Sequence, residues 1–337
     1  MATNEMLDNA IIKNLISEQD ALLIKEYNKR LQENNMPVIY NLRHLRKILK
    51  IRKKDQDKYF GVNRNEYHDF KIPKKSGGYR NIEAPSEQLK SYQLWIKQNI
   101  LDKIHISEFA KGFRQGCSIL DNAKEHVGKD LVINIDIKDF FPSIQYSQVY
   151  RIFSYVGYTN EISHLLTRLC TNKENVLPQG SPASPVISNI VSLRLDKRLS
   201  KLAEKYSCSY TRYADDITFS GSKAIKHILP IAQNIILDEG FIVNEKKVRL
   251  QYSFQRQEVT GLTVNKKVNI SINSQKEIES AIHFCKKFGV VSHMQKIKCD
   301  RSFYKEHLYG LAYFIKMIDS NKGDRYLAEL DTIEWPY

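Results

Sequence analysis

Three aspartates are the residues of this chain best suited to chemistry. Asp136 lies at the end of the apolar run LVINIDI, residues 131–137. A carboxylate there is costly unless something compensates it, because charge without a partner is poorly tolerated away from water. Asp215 and Asp216 are neighbours in SYTRYADDITFS, residues 209–220, where two β-forming stretches flank an acidic turn. Adjacent carboxylates repel, and a shared cation resolves the repulsion. Each aspartate alone reads as an ordinary strand-end or turn residue. Together, an aspartate closing one strand and a Tyr-x-Asp-Asp hairpin can converge on two Mg²⁺ ions about 4 Å apart. Mg²⁺ prefers carboxylate oxygen, water and substrate phosphate. One ion lowers the pKa of an attacking hydroxyl and the other steadies a leaving pyrophosphate, which is nucleotidyl transfer. No ordered Ser/His or Cys/His triad competes for the role.

The elements that must carry these residues follow from periodicity. The run at 131–137 is rich in β-branched residues and predicts a buried strand. Residues 71–85, KIPKKSGGYRNIEAP, predict two short strands around the turn Lys75-Ser76-Gly77-Gly78. Ser86 predicts the cap of a helix with apolar positions Leu89, Tyr92, Ile96, Ile100 and Ile104. Ser184 followed by Pro185 predicts another cap. A helix from about residue 223 is expected to close at Gly240, and strands are expected over 258–264 and 268–272. The tail from Ile278 to Ile318 has helical spacing. Helices, then mixed strands and helices, then helices make an α+β chain with one central antiparallel sheet.

Composition excludes several classes. The 337 residues include 52 Lys/Arg and 38 Asp/Glu, a net charge of +14 with a pI near 9.3. No apolar run is long enough to span a bilayer, and residues 1–20 lack the pattern of a secretory signal, so no membrane association is expected. Five scattered cysteines without a CxxC predict neither zinc nor disulfides, and a reducing cytoplasm as the location. Residues 21–80 hold 16 Lys/Arg against 6 Asp/Glu. Within them NLRHLRKILKIRKK, residues 41–54, reads as a basic helix, either a solvated face or a polyphosphate contact.

At this point the sequence resembles bacterial reverse transcriptases. Tyr213-Ala214-Asp215-Asp216 matches their YADD box, and Asn134-Ile135-Asp136-Ile137-Lys138-Asp139-Phe140-Phe141 is similar to motif A. Leu177-Pro178-Gln179-Gly180-Ser181-Pro182-Ala183-Ser184-Pro185 is similar to motif B. Residues 71–85 resemble the fingers hairpin, residues 240–247 with Asn244 resemble motif D, and Gly112-Phe113-Arg114 with Ser118 resembles the block before motif A. The boxes stand in the family's order over residues 71–264. Asn122-Ala123-Lys124-Glu125-His126 fits the NAxxH pattern, and Val259-Thr260-Gly261 the VTG triplet, of retron enzymes.

The resemblance implies roles. Asp136 and Asp215 ligate the metals with the Ile137 carbonyl, and Asp216 sits beside them. Phe141 is the steric gate against a ribose 2′-OH. Gln179 and Gly180 touch nucleotide and template, with Asp139 nearby. Arg80 and one of Lys71, Lys74 or Lys75 grip the triphosphate, since guanidinium suits bidentate phosphate contact. Lys246 or Lys247 is the general acid for pyrophosphate. Asn122, His126, Val259, Thr260, Gly261, Lys296 and Lys298 serve RNA or msDNA recognition; basic and aromatic residues interleave over 283–313, which suits RNA.

The expected architecture is a right-hand polymerase: a basic helical segment over 1–60, fingers and palm over 61–264 (fingers mainly 61–130, palm mainly 131–264), and a helical thumb over 265–337. The resemblance implies DNA synthesis from dNTPs on a dedicated structured noncoding RNA that is both template and primer. It further implies initiation at a guanosine 2′-OH, an msDNA product that stays bound, and an effector protein in anti-phage defence. A group II intron-like enzyme is the alternative, though few residues follow Val264 for maturase segments. Another is a complex of protein and msDNA that chiefly restrains an effector.

Overall fold

The computed structural model describes residues 12–13, 15–61, 66–74 and 77–336. The chain folds as two compact units that interleave along the sequence. One comprises Met1–Phe113, Ile137–Arg198 and Ile235–Val243; the other comprises Arg114–Asp136, Leu199–Asn234 and Asn244–Tyr337.

In the first unit, helix Glu18–Glu33 starts at a capping box between Ser17 and Asp20. The basic stretch forms helix Leu42–Leu49, capped by the Asn41 side chain on the His44 amide. It buries Leu45 and Leu49 and leaves Arg43, Lys47 and Lys50 exposed. Strands β1 (Tyr67–Pro73) and β2 (Tyr79–Pro85) form an antiparallel ribbon. Lys75 and Ser76, predicted to make its turn, lie outside the described residues. Ser86 caps helix Glu87–Asn99, which gives way to a 3₁₀ turn at Leu101–Lys103 before the expected end. The cap predicted at Ser184 is different. Helix Ser184–Val191 already includes Ser184, whose hydroxyl donates to the Pro178 carbonyl at 2.7 Å. Its oxygen is committed to holding the preceding loop, and Pro185 still falls in the first turn, where its missing N–H costs nothing.

The second unit is built on the predicted antiparallel sheet, in the order β4 (Ser209–Tyr213), β5 (Asp216–Gly221), β3 (Leu131–Asp136) and β6 (Arg249–Tyr252). Strand alternation sorts its residues. Leu131, Ile133 and Ile135 share one face with Ile217 and Phe219, while Asn134 and Asp136 share the other with Thr218 and Asp216. The helix expected from residue 223 begins as a 3₁₀ turn over Lys223–Ile228 and becomes α-helical at Leu229–Asp238.

The strand expected over 258–264 is a hairpin instead. β7 (Glu258–Val259) and β8 (Leu262–Thr263) pair around Thr260 and Gly261, whose φ of +47° and +83° reverse the chain. The strand expected over 268–272 reduces to a bridge between Thr263 and Asn269, and Ile272 begins helix Ile272–Phe288. Helices Val290–Lys296, Tyr304–Ile318 and Ser320–Asp331 follow. Their apolar faces (Ile278, Ile282, Leu308, Ile315, Leu330) pack with Val132, Val259 and Leu262 in one core. Each such side chain contributes roughly 1.5–3 kcal/mol on burial. That continuous core places the C-terminal helices in the same unit as the sheet.

Candidate active site

The register brings the carboxylates together. Asp136, last in β3, pairs directly with Asp216, first in β5. Residues so opposed stand about 4.5–5.5 Å apart at Cα and share a face. Tyr213 also pairs with Asp216, so the hairpin loop is only Ala214 and Asp215. Asp136 is held from a second side: its carbonyl accepts the Asn244 N–H at 2.8 Å, and its Oδ1 accepts from Asn244 Nδ2 at 3.1 Å. Lys247 Nζ donates to its two oxygens at 2.8 and 3.0 Å. Of the lysine pair left open by the sequence, Lys247 reaches the carboxylate; Lys246 is exposed. Burial lifts the Asp216 carboxyl from the ordinary 3.8 to about 6, with Asp215 and then Asp136 adding to the shift while Arg249 and Lys247 oppose it. The Lys247 ammonium is held above the usual lysine range by its hydrogen bond to Asp136.

The sheet face leading to these carboxylates is largely polar, with its side chains hydrogen-bonded to one another. Asn134 donates to Thr218 Oγ1 at 3.3 Å and accepts from Gln251. His126, fully buried, spans two strands: Nδ1 lies 2.7 Å from Ser220 Oγ and Nε2 lies 2.7 Å from Thr211 Oγ1. The buried Asn122 donates to Thr260 Oγ1 at 3.4 Å, and Thr260 donates to the Ile119 carbonyl. Of the residues read as RNA-recognising, Asn122, His126 and Val259 are therefore interior and touch protein, Thr260 is half-buried, and Gly261 is exposed. Lys296 and Lys298 are exposed; Lys296 lies over the Phe284 ring at 5.0 Å, and Lys298 sits in a left-handed turn at φ +51°.

Sequence reading missed Arg212. It shares the apolar sheet face with Ile217, opposite the carboxylates, and is completely buried. Its Nη1 donates to the Ala214 carbonyl at 3.1 Å. Ala214 has φ +58°, where a side chain costs about 1–3 kcal/mol. Arg212 thus holds the peptide from which Asp215 projects. The available signal was a lone arginine in an otherwise uncharged strand.

Apart from Lys246 and Lys247, which belong to the second unit, the residues read as nucleotide contacts lie in the first unit, as does Ile137. Ile137 is buried and bridges Val243, and the Lys138 N–H donates to the Ile242 carbonyl. Asp139 is exposed at φ +47° and precedes the short helix Phe140–Ser143. Phe141, half-buried, has its ring 6.0 Å from Phe113 and 5.6 Å from Phe140. Gly180 has φ +149°, and a Cβ there would meet the Glu83 carbonyl oxygen at 2.4 Å. One residue earlier, the Gln179 carbonyl accepts the Glu83 N–H at 2.9 Å. The motif B loop therefore crosses β2 backbone to backbone. Asn172 secures the crossing by donating to both Glu83 carboxylate oxygens. Lys71 pairs with Asn81 and Arg80 pairs with Ile72, so alternation puts these two exposed cations on opposite faces of the ribbon. Arg80 shares its face with Ile82, the residue packed against Gly180.

The chain matches the reverse transcriptase (RNA-dependent DNA polymerase) family over residues 72–299. It is 34% identical over 314 residues to the retron Ec86 reverse transcriptase of Escherichia coli, covering 91% of this chain and 94% of that protein. It is also 34% identical over 278 residues to the retron Mx65 reverse transcriptase of Myxococcus xanthus, covering 77% of this chain and 63% of that one. A telomerase of Candida albicans solved with a fragment of telomeric RNA aligns with 80% of this chain and 61% of its own, at 11% identity and a TM-score of 0.46. No helix among the described residues is long and apolar enough to cross a membrane. With a carboxylate hairpin in register beside a third aspartate, and with relatives of this kind over most of its length, the chain belongs to the reverse transcriptase family, with retron enzymes as its homologues, and is an RNA-directed DNA polymerase.

Proposed function

We propose that this polymerase copies part of a dedicated structured noncoding RNA into msDNA, starting from a guanosine 2′-OH, within an anti-phage system that includes an effector protein. The observation that carries the polymerase part is the Asp136–Asp216 register with Asp215 at the adjoining turn. Two Mg²⁺ ions would supply activation of the attacking hydroxyl and neutralisation of the leaving pyrophosphate. The donor set fits them: three carboxylates stand on neighbouring positions, and burial first, then Asp215 and Asp136, makes the charge on Asp216 costly until a cation shares it. Among the described residues no three His, Cys, Asp or Glu side chains close on an ion by themselves. Water, the Ile137 carbonyl and substrate phosphate would complete the shells, as Mg²⁺ prefers.

In this reading Asn244 and Lys247 keep Asp136 oriented, and Arg212 keeps Asp215 oriented. Lys247 is the proton donor to departing pyrophosphate. Phe141 crowds a ribose 2′-OH, and Gln179, Gly180, Asp139 and Arg80 line the nucleotide, with Lys71 on the ribbon's other face. Fingers, palm and thumb follow the divisions at residues 61, 131 and 265. Lys296, Lys298 and the Thr260–Gly261 turn contact RNA, while Asn122, His126 and Val259 support that turn and the sheet behind it.

The test is purification from cells carrying the native flanking DNA, beside an Asp215→Asn variant. Bound nucleic acid is extracted, treated with RNase and resolved on a denaturing gel. A discrete short DNA present only with the unaltered protein is expected. RNA alone in both samples would overturn the retron reading and favour an intron-like enzyme.

A further inference from the structure

The end of the catalytic sheet away from the carboxylates carries two stacked aromatic rings, a half-buried Tyr252 and an exposed Phe254. Tyr252, last in β6, pairs with Leu131, five residues before Asp136 on β3. At about 3.3 Å per residue this point lies roughly 17 Å from Asp136. Phe254 follows, 79% exposed, with its ring stacked on that of Tyr252 (centroids 5.6 Å apart, planes within 6°). So exposed a phenylalanine gains little from the fold, yet its loop is firmly built. The Ser253 N–H donates to the Asp130 carbonyl at 2.8 Å, and Asn265 Nδ2 donates to the carbonyls of Ser253 and Gln255 at 3.1 and 2.7 Å. Asn265 Oδ1 accepts the Gln257 N–H at 3.0 Å.

Asn265 thereby brings Lys266 and Lys267 beside the aromatic loop. Both are exposed, and neither has an ion-pair partner among the described residues. Arg256 is engaged by Glu258 at 2.9 Å, and Asp130 meets the loop through its main-chain carbonyl. The unengaged charge is positive on balance.

We propose that Tyr252 and Phe254, flanked by Lys266 and Lys267, form a stacking platform for an unpaired segment of the RNA strand, outside the stretch held at the carboxylates. Every base offers a π-face and every nucleotide a phosphate, so an exposed Phe254 ring backed by the parallel Tyr252 ring, beside exposed ammonium groups, matches a single strand. An apolar protein partner would call for an apolar rim, whereas the neighbours here are Ser253, Gln255, Arg256 and two lysines. RNA is the committed strand because this enzyme is RNA-directed, and any template must be unpaired where it is about to be copied.

The experiment uses the full chain with its polymerase cleft filled by a saturating RNA–DNA hairpin primer–template. A fluorescein-labelled twelve-nucleotide oligouridylate, and a 5-iodouridine version for photocrosslinking, are then added. Binding alongside the hairpin is expected, with crosslinks in the peptide containing Tyr252 and Phe254. Phe254→Ala should weaken the oligouridylate about 5- to 150-fold, the equivalent of one base stack of about 1–3 kcal/mol. Phe254→Trp should retain binding, and Lys266→Glu with Lys267→Glu should weaken it and flatten its salt dependence. Extension of the hairpin should be unchanged by Phe254→Ala. Complete displacement by the hairpin, crosslinks confined to other peptides, or binding within twofold in Phe254→Ala would overturn the proposal. Tighter binding of the matching DNA oligonucleotide would overturn the assignment to RNA.

Discussion

Gly180→Ala tests whether the backbone crossing of motif B over β2 sets the enzyme's working geometry. An added Cβ would sit 2.4 Å from the Glu83 carbonyl oxygen and 2.9 Å from its carbon, both main-chain atoms. Glu83 cannot retreat freely, because it pairs with Asp69 in the ribbon, donates its N–H to Gln179 and receives Asn172 on its carboxylate. A φ of +149° adds strain for any side chain, about 1–3 kcal/mol. Losing the Glu83–Gln179 hydrogen bond adds roughly 0.5–1.5 kcal/mol. The expected loss is about 2–4 kcal/mol, a fall in Tm of roughly 3–6 °C for a chain of this size. Because displacement of a reacting group by about 1 Å can cost on the order of 100-fold in rate, kcat/KM for dTTP on poly(rA)·oligo(dT) should fall at least about tenfold well below the melting temperature. Gly289→Ala is the control: φ there is +81° but nothing lies within 4 Å, so it should show a smaller stability loss and near-normal kinetics. A Gly180→Ala enzyme that melts with the parent and keeps its kcat/KM would refute the reasoning.

The other expectations concern the carboxylates and the gate. The folded Asp216 value of about 6 exceeds the unfolded 3.8, so its penalty is absent below about pH 4 and fully present above about pH 6, where it reaches about 3 kcal/mol. Metal-free Asp216→Asn should therefore be the more stable protein at pH 7.5 and lose that advantage near pH 4; melting curves in EDTA with parallel pH profiles would contradict this. Arg212→Met removes the donor to the Ala214 carbonyl and should raise the Mg²⁺ concentration for half-maximal activity several-fold while circular dichroism stays native; unchanged Mg²⁺ dependence would exclude a positioning role. Phe141→Ala should admit ribonucleotides, measured as a rise of at least about tenfold in the rNTP/dNTP ratio of kcat/KM, in line with about 1–3 kcal/mol of pocket discrimination. An unchanged ratio would mean that the ring only packs against Phe113 and Phe140.

Much of the chemistry was legible without coordinates. The β-branched, apolar run LVINIDI encodes a buried strand bearing Asp136, and the short acidic interruption in SYTRYADDITFS encodes a hairpin. These are local backbone preferences, carried by neighbouring residues, and so is the cap at Ser86. The hairpin at Thr260 and Gly261 escaped the same reading because a β-branched residue at positive φ is a position that propensity argues against, and tertiary hydrogen bonds from Asn122 and to Ile119 accompany it. What joins residues far apart was decided by tertiary structure alone. Lys247 rather than Lys246 meets Asp136, 111 positions away. His126 proves to be a brace between Ser220 and Thr211, while the register sets Lys71 and Arg80 on opposite faces. Arg212, an isolated charge in the sequence, finds its place under the Ala214 carbonyl only once β4 and β5 have paired around a two-residue loop. Sequence periodicity specifies which face a side chain takes; which partner waits there depends on strand register and loop closure, and these emerge only when distant segments pack.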